Sequence, residues 1–232
     1  MAGDEVASLD PGVSRRAVLG GAGKIAAAGA ALSAAAGVVA PELASADAGG
    51  GVGIAPKGTT AIEFLAQIDQ SGNGLIAYGY LTDVAGLSAS DLFTSATHGE
   101  ATARLTAYAT GKLVNRAVKG SVHSLDIDGD LTIYKLATPG ASFSDPASFT
   151  LGAAVAVYSL TIQDILTVIA PDVGIPTLIG DLRQTSAASV GGGHKFGQVG
   201  TKLRLVATGI GNRSQPDPPV ATLSVAGNLS AV

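Results

Sequence analysis

The chain has 232 residues, of which 14% are charged and 4% aromatic, and it contains no cysteine. The lack of cysteine excludes disulfide bonds, thiolate metal sites and a cysteine nucleophile. The formal net charge is −4 at pH 7, and since no basic run follows the N-terminal segment, nucleic acid is not expected as a partner.

The first residues have the pattern of an export signal. Arg15 and Arg16 stand just before Leu19, and residues 17–40 are rich in alanine and glycine. An arginine pair before a weakly hydrophobic stretch resembles the twin-arginine signal of exported proteins. Lys24 interrupts the stretch and leaves fewer uncharged residues than the roughly 20 that a transmembrane helix needs. We therefore expect no stable membrane span in the mature form.

Two A-x-A sequences follow, and they allow cleavage by a signal peptidase after Ala46 or Ala48. We predict a signal peptide over residues 1–48, a flexible glycine-rich leader over 49–58 and one domain over 59–232. The resemblance implies that the twin-arginine translocase and a signal peptidase are partners during export. It also implies that the mature protein is secreted, or lies in the cell envelope or periplasm.

Beyond residue 59, apolar and polar residues alternate with a period of two, which predicts β-strands. In the first half of this region, strands are expected over residues 61–69, 75–82, 101–115, 116–125 and 130–137, with a loop over 83–100. Asn73-Gly74 predicts one hairpin turn, and Asp128-Gly129 predicts another. Ala103, Ala107 and Ala109 share one face of their strand, and such small side chains leave the inside of a barrel unfilled.

The second half continues the pattern. Strands are expected over residues 153–168, 177–187, 198–211 and 220–229, with loops over 138–149, 189–197 and 212–219. About eight long strands without helices between them predict an all-β fold, most simply a single antiparallel β-barrel, with a two-sheet β-sandwich as the alternative. At the level of the fold this resembles lipocalin-like and allene-oxide-cyclase or dirigent-like barrels, although no residue motif of either family is present.

The sequence offers weak metal-site candidates. Residues 126–130 (DIDGD) are similar to a calcium loop, but the glycine stands fourth, whereas an EF-hand needs it sixth. A hairpin turn is the preferred interpretation. His98, His123 and His194 are far apart in the sequence and lack the short spacing of zinc ligands. We therefore expect neither a metal site nor a cofactor.

Asp164 is the most unusual residue of the predicted strands. It shares its face with Tyr158 and Leu166, on a largely apolar side of the strand. A carboxylate there must find a partner or shift its pKa upward. Arg183 and Arg204 are candidate partners for a buried ion pair. The alternative is a ligand site in the barrel lumen formed by Asp164, Tyr158 and Arg183.

Two functions are consistent with the sequence. One is a non-catalytic secreted or cell-envelope protein that binds a small apolar ligand in the barrel. The other is a cofactor-free cyclase or isomerase that acts on a hydrophobic substrate in the lumen. Convergence of Asp164, Tyr158 and Arg183 on a wide pocket would favour the enzyme, and a filled core would favour a structural role.

Overall fold

The structure is a computed structural model and describes residues 51–232. The predicted export signal, with Arg15, Arg16, Leu19 and the cleavage sites at Ala46 and Ala48, lies outside the described residues. Within the described range the strands are β1 (Thr60–Ser71), β2 (Gly74–Val84), β3 (Leu105–Lys119), β4 (Val122–Lys135), β5 (Ala153–Ala170), β6 (Val173–Ile175), β7 (Thr177–Ala187), β8 (Ser189–Gly191), β9 (His194–Lys195), β10 (Lys202–Pro216) and β11 (Pro219–Ala231). A short helix α1 (Ala89–Leu92) and two 3-10 turns, Glu100–Thr102 and Pro146–Thr150, lie between strands. No helix in this part of the chain is long and apolar enough to cross a membrane.

The main sheet closes on itself as an antiparallel barrel of 8 strands. The strands β1, β2, β3, β4, β5, β7, β10 and β11 each pair with the next, and β11 pairs back with β1. The short strand β6 joins β5 to β10 at one end, and β8 pairs with β9 in a separate small hairpin. The predicted all-β barrel is confirmed. Closure removes the exposed strand edges that a two-sheet sandwich would keep.

The hairpin predicted at Asp128-Gly129 is wrong. β4 runs through both residues without a turn, and the chain reverses at Gly120-Ser121 instead. Gly129 faces the barrel interior, where a Cβ would overlap the Thr110 carbonyl oxygen and lie 2.8 Å from the Gly111 Cα. The glycine therefore permits a close approach of two strands, a role that glycine has inside barrels as well as in turns.

The two ends of the barrel differ. At one end, connecting segments cover the lumen with Val52, Leu92, Phe93 and Phe196, all buried in the main core cluster. Val52 belongs to the predicted leader over 49–58, so part of that segment is packed against the barrel. At the other end there are only tight connections: β1–β2, β3–β4, β5–β6 and β10–β11. We call these the closed end and the open end.

The strand faces follow the sequence pattern. Ala107 and Ala109 line the lumen, as predicted from the alternation. Tyr78 faces outward and is covered by the segment between β4 and β5, where its ring lies 6.0 Å from Phe143 and 5.4 Å from Phe149. Within residues 51–232 no such segment covers the open end, and the candidate site lies there.

Candidate functional site

A cavity of about 330 Å³ opens at the open end of the barrel. Its inner wall is largely apolar, with Leu75, Leu125, Ile127 and Leu223 from three different strands. Its polar groups include Arg116, His123, Asp164, Asp172 and Arg213. An apolar wall with a few polar groups is typical of a small-molecule site of this volume.

Asp164 is the most deeply placed charged group of the cavity. Its face of β5 points inward, as the alternation predicted, and only 4% of the residue is exposed. The Thr177 backbone N–H donates to Oδ1 over 3.2 Å. Burial raises the pKa of Asp164 to about 6, against the opposing effect of that hydrogen bond. The carboxyl group therefore changes charge close to neutral pH.

The cations that the sequence suggested for Asp164 are elsewhere, so the predicted ion pair is wrong. Arg204 lies on the outer surface, where its Nε is 2.8 Å from Asp181 Oδ1 and both side chains are about half exposed or more. Arg183 is also exposed on the outer face of β7. Alternation explains both, because the neighbouring residues Leu182 and Leu203 take the inward positions.

Tyr158 is buried, but it does not line the cavity with Asp164. Six residues separate the two along β5, which places them roughly 20 Å apart, toward opposite ends of the barrel. Burial raises the pKa of the Tyr158 hydroxyl. Asp164, Tyr158 and Arg183 therefore do not converge, and of the three only Asp164 belongs to the cavity.

The structure instead places His123 diagonally across from Asp164, and Arg116 beside His123. Leu125 pairs with Asp164 and His123 pairs with Leu166 across β4 and β5, so His123 is the diagonal neighbour of Asp164. Arg116 Nη2 lies 3.4 Å from His123 Nδ1. Burial lowers the pKa of His123, and the Arg116 and Arg213 charges lower it further.

From the sequence, His123 was a candidate only as a metal ligand, and Arg116 had no predicted role. The wrong turn at Asp128-Gly129 concealed their position, since it divided β4 in two. The useful signal was the period-two pattern of His123, Leu125 and Ile127, which continues through the strand.

An ion pair borders the cavity at the strand ends. Arg213 Nη2 lies 2.8 Å from Asp172 Oδ1, and Arg213 Nε donates to the same oxygen over 2.9 Å. Asp172 has a left-handed backbone, with φ of 61°, in the turn between β5 and β6. The pair ties β10 to this turn and fixes one side of the entrance.

Deeper in the barrel, a second and wholly apolar cavity of about 90 Å³ follows. Its wall includes Ile68, Ala77, Ala109 and Ile162. Ile162 precedes Asp164 on the inward face of β5, so the two cavities succeed one another along the barrel axis. The small alanine side chains leave this space, as the sequence suggested.

Metal-binding groups do not cluster in the described part of the chain. No three of its His, Asp and Glu side chains are placed to hold a metal ion. Asp128 and Asp130 are exposed on β4, and Asp126 accepts a hydrogen bond from Asn115 Nδ2 over 2.9 Å. Alternation puts all three carboxylates on the outer face, in an extended row that does not enclose an ion.

No protein-family model matches this chain, and neither a curated protein nor a solved structure is significantly similar to it. The resemblance to lipocalin-like or dirigent-like barrels therefore stays a prediction, and the proposals below depend on geometry and sequence pattern alone.

Proposed function

We propose that this protein binds a small, mostly apolar molecule in the open end of its barrel, and that a hydroxyl or amine of that molecule donates a hydrogen bond to Asp164. The observation that carries the proposal is a buried carboxylate at the wall of an open apolar cavity, with no salt-bridge partner among residues 51–232. Ionising such a group costs free energy unless a donor reaches it.

The hydrogen bonding of Asp164 supports this ligand chemistry. Within residues 51–232, its carboxylate accepts one hydrogen bond, from Thr177 to Oδ1. The other oxygen is left for a ligand. The apolar wall suits the body of the ligand, and its burial provides the larger share of the binding energy.

Titration with 1-aminoanthracene, an apolar fluorescent amine, tests the proposal. We expect saturable binding at about one probe per chain, lost or strongly weakened in Asp164→Ala. Asp181→Asn is the matched control, because that carboxylate lies on the outer surface beside Arg204. Equal affinities of Asp164→Ala and wild type would contradict the proposed site. Native mass spectrometry of the purified chain then shows whether a cellular ligand is retained.

A second candidate function is a cofactor-free isomerase or cyclase, and the proximity of His123 and Asp164 favours it. Burial shifts both pKa values so that each group is uncharged over part of the range near neutral pH. Groups of this kind can donate and accept protons. Catalysis would be indicated if the wild type rearranges a retained molecule and neither Asp164→Asn nor His123→Gln does so. Rearrangement leaves its mass unaltered, so chromatography is the readout.

We also propose export by the twin-arginine route, on the sequence pattern alone. Replacing Arg15 and Arg16 with Lys keeps the charge but removes the arginine pair, so secretion should stop. Lys24→Arg is the control, since it also keeps the charge and leaves the pair intact. N-terminal sequencing of the exported protein should begin at Asp47 or Gly49. Undiminished secretion of the double-lysine variant would refute the assignment.

A further inference from the structure

The outer rim of the open end exposes aliphatic side chains. We define the rim by Val122, Ile169, Ile175 and Ile210, whose exposed fractions lie between 39% and 55%. They belong to four strands, β4, β5, β6 and β10. A group of large exposed apolar residues on neighbouring strands is typical of an interaction surface.

The strand register brings the rim to one level of the barrel. Val122 pairs with Thr167, and Thr167 pairs with Ile175. Gly174 pairs with Gly211, which places Ile175 beside Ile210. The rim therefore forms a continuous band across four strands, at the height of the cavity entrance.

The tip of the β3–β4 hairpin adds positive charge to this band. Lys119 lies beside Val122 on the outer face, and Arg116 lies at the cavity entrance. Residues 116–125 contain no Asp or Glu. Neither cation forms a salt bridge within the described range. Aliphatic residues mixed with long cationic side chains suit the boundary of an anionic bilayer, where the chains enter the acyl region and the cations meet headgroups.

We propose that the open end of the barrel docks on an anionic lipid surface, with the rim in the interfacial layer and the cavity entrance facing the lipid. A second copy of the chain fits this surface less well. A two-fold contact through the hairpin tip would bring Arg116 and Lys119 against their own copies, and like charges repel. The docking proposal stands whether or not the cavity binds a ligand.

The full chain permits a site-specific test. Residues 17–40 are hydrophobic in sequence and can bind vesicles themselves, so total binding is not a suitable readout. The chain contains no cysteine, and Ser121→Cys therefore provides a single attachment point for the environment-sensitive fluorophore NBD at the hairpin tip. Val199→Cys provides the matched control, because Val199 is 59% exposed on the segment between β9 and β10, toward the closed end.

With vesicles of phosphatidylcholine and phosphatidylglycerol, NBD at position 121 should become severalfold brighter and shift to the blue, while NBD at position 199 should not change. Vesicles of phosphatidylcholine alone should give a much smaller response. In the labelled Ser121→Cys chain, adding Lys119→Glu should weaken the response and adding Val122→Ser should reduce it further, by about tenfold in lipid affinity for the pair.

Three outcomes would overturn the proposal. One is an equal response at positions 121 and 199, which would assign vesicle binding to the N-terminal segment. Another is no response at position 121. The third is a response that rises with protein concentration in the absence of vesicles, which would identify a second copy as the occupant. Circular dichroism of each variant checks that the barrel is retained.

Discussion

Asp164 on β5 and His123 on β4 are diagonal neighbours across paired strands, and both face the cavity at the open end. Residues in this relation lie about 7–8 Å apart. Burial raises the pKa of Asp164 to about 6 and lowers the pKa of His123 from its ordinary value. The charge of Asp164 therefore changes near pH 6.

We expect Asp164→Asn to stabilise the protein at alkaline pH. Because the pKa of Asp164 is raised in the folded state to about 6 from 3.8, its protonation favours folding. That stability is complete below about pH 4 and is lost as the pH rises through about 6. Asparagine cannot ionise, so the variant does not lose this stability as the pH rises. Its free energy of unfolding should therefore exceed that of wild type by up to about 3 kcal/mol at pH 8.

Denaturant melts of both proteins between about pH 4 and 8 measure this difference. Asp181→Asn is the control, since an exposed ion pair contributes about 1 kcal/mol or less. If Asp164→Asn kept the pH dependence of wild type, the carboxyl group would not be the group that titrates.

Probe binding should follow the same titration. An ionised carboxylate accepts a stronger hydrogen bond than a protonated one, so the affinity for 1-aminoanthracene should rise as the pH increases through about 6. His123→Gln removes the second titratable group of the cavity, and the increase of probe affinity with pH should persist in this variant. An affinity that is flat across this range would argue against a hydrogen bond between the probe and Asp164.

The inward position of Asp164 was predictable from the sequence, and so was the barrel. Both depend on period-two alternation, which is strong when one face of every strand is buried. The same rule assigns Arg183 to the outer face, since Leu182 and Gln184 are buried beside it. The predicted ion pair is wrong because strand parity places Arg183 and Arg204 on the outer face, whereas Asp164 faces inward.

Alternation places His123 on the inward face only if β4 is unbroken, and it places Arg116 only through the register between β3 and β4. Their position depends on an unbroken β4, and Asp-Gly ordinarily indicates a turn. At Gly129 the decisive interaction is a contact with β3, distant in sequence by nearly twenty residues, so no local pattern reveals it. The apolar rim was equally hidden, because it depends on the register among β4, β5, β6 and β10.

We expect Gly129→Ala to destabilise the barrel. A Cβ at this position would overlap the Thr110 carbonyl oxygen and crowd the Gly111 Cα at 2.8 Å. β3 and β4 must then separate, at a cost of roughly 2 kcal/mol or more in the free energy of unfolding. Gly74→Ala is the control, because its Cβ would make an ordinary contact of 3.5 Å with the Ser71 carbonyl oxygen. Equal stabilities of the two variants would contradict the close-approach role.

Gln184 holds the segment that follows β7 against the closed end. Only 1% of Gln184 is exposed. Its Nε2 donates to the Phe196 carbonyl over 2.8 Å and to the Ser186 carbonyl over 2.9 Å. Its Oε1 accepts from the Gln198 N–H over 3.0 Å. Gln184→Ala would leave three backbone groups without these partners, and the Phe196 carbonyl among them is buried.

We expect Gln184→Ala to lower the free energy of unfolding by roughly 3 kcal/mol, since each buried unsatisfied group costs about 1–3 kcal/mol and water can reach some of them after truncation. Gln163→Ala is the matched control, because Gln163 is exposed and donates only to Ser124 Oγ in the described residues. Hydrogen exchange locates the effect: amides of residues 188–200 should exchange faster in Gln184→Ala, while those of β4 should stay protected. Faster exchange throughout the barrel would instead show that Gln184 supports the whole sheet and not one connecting segment.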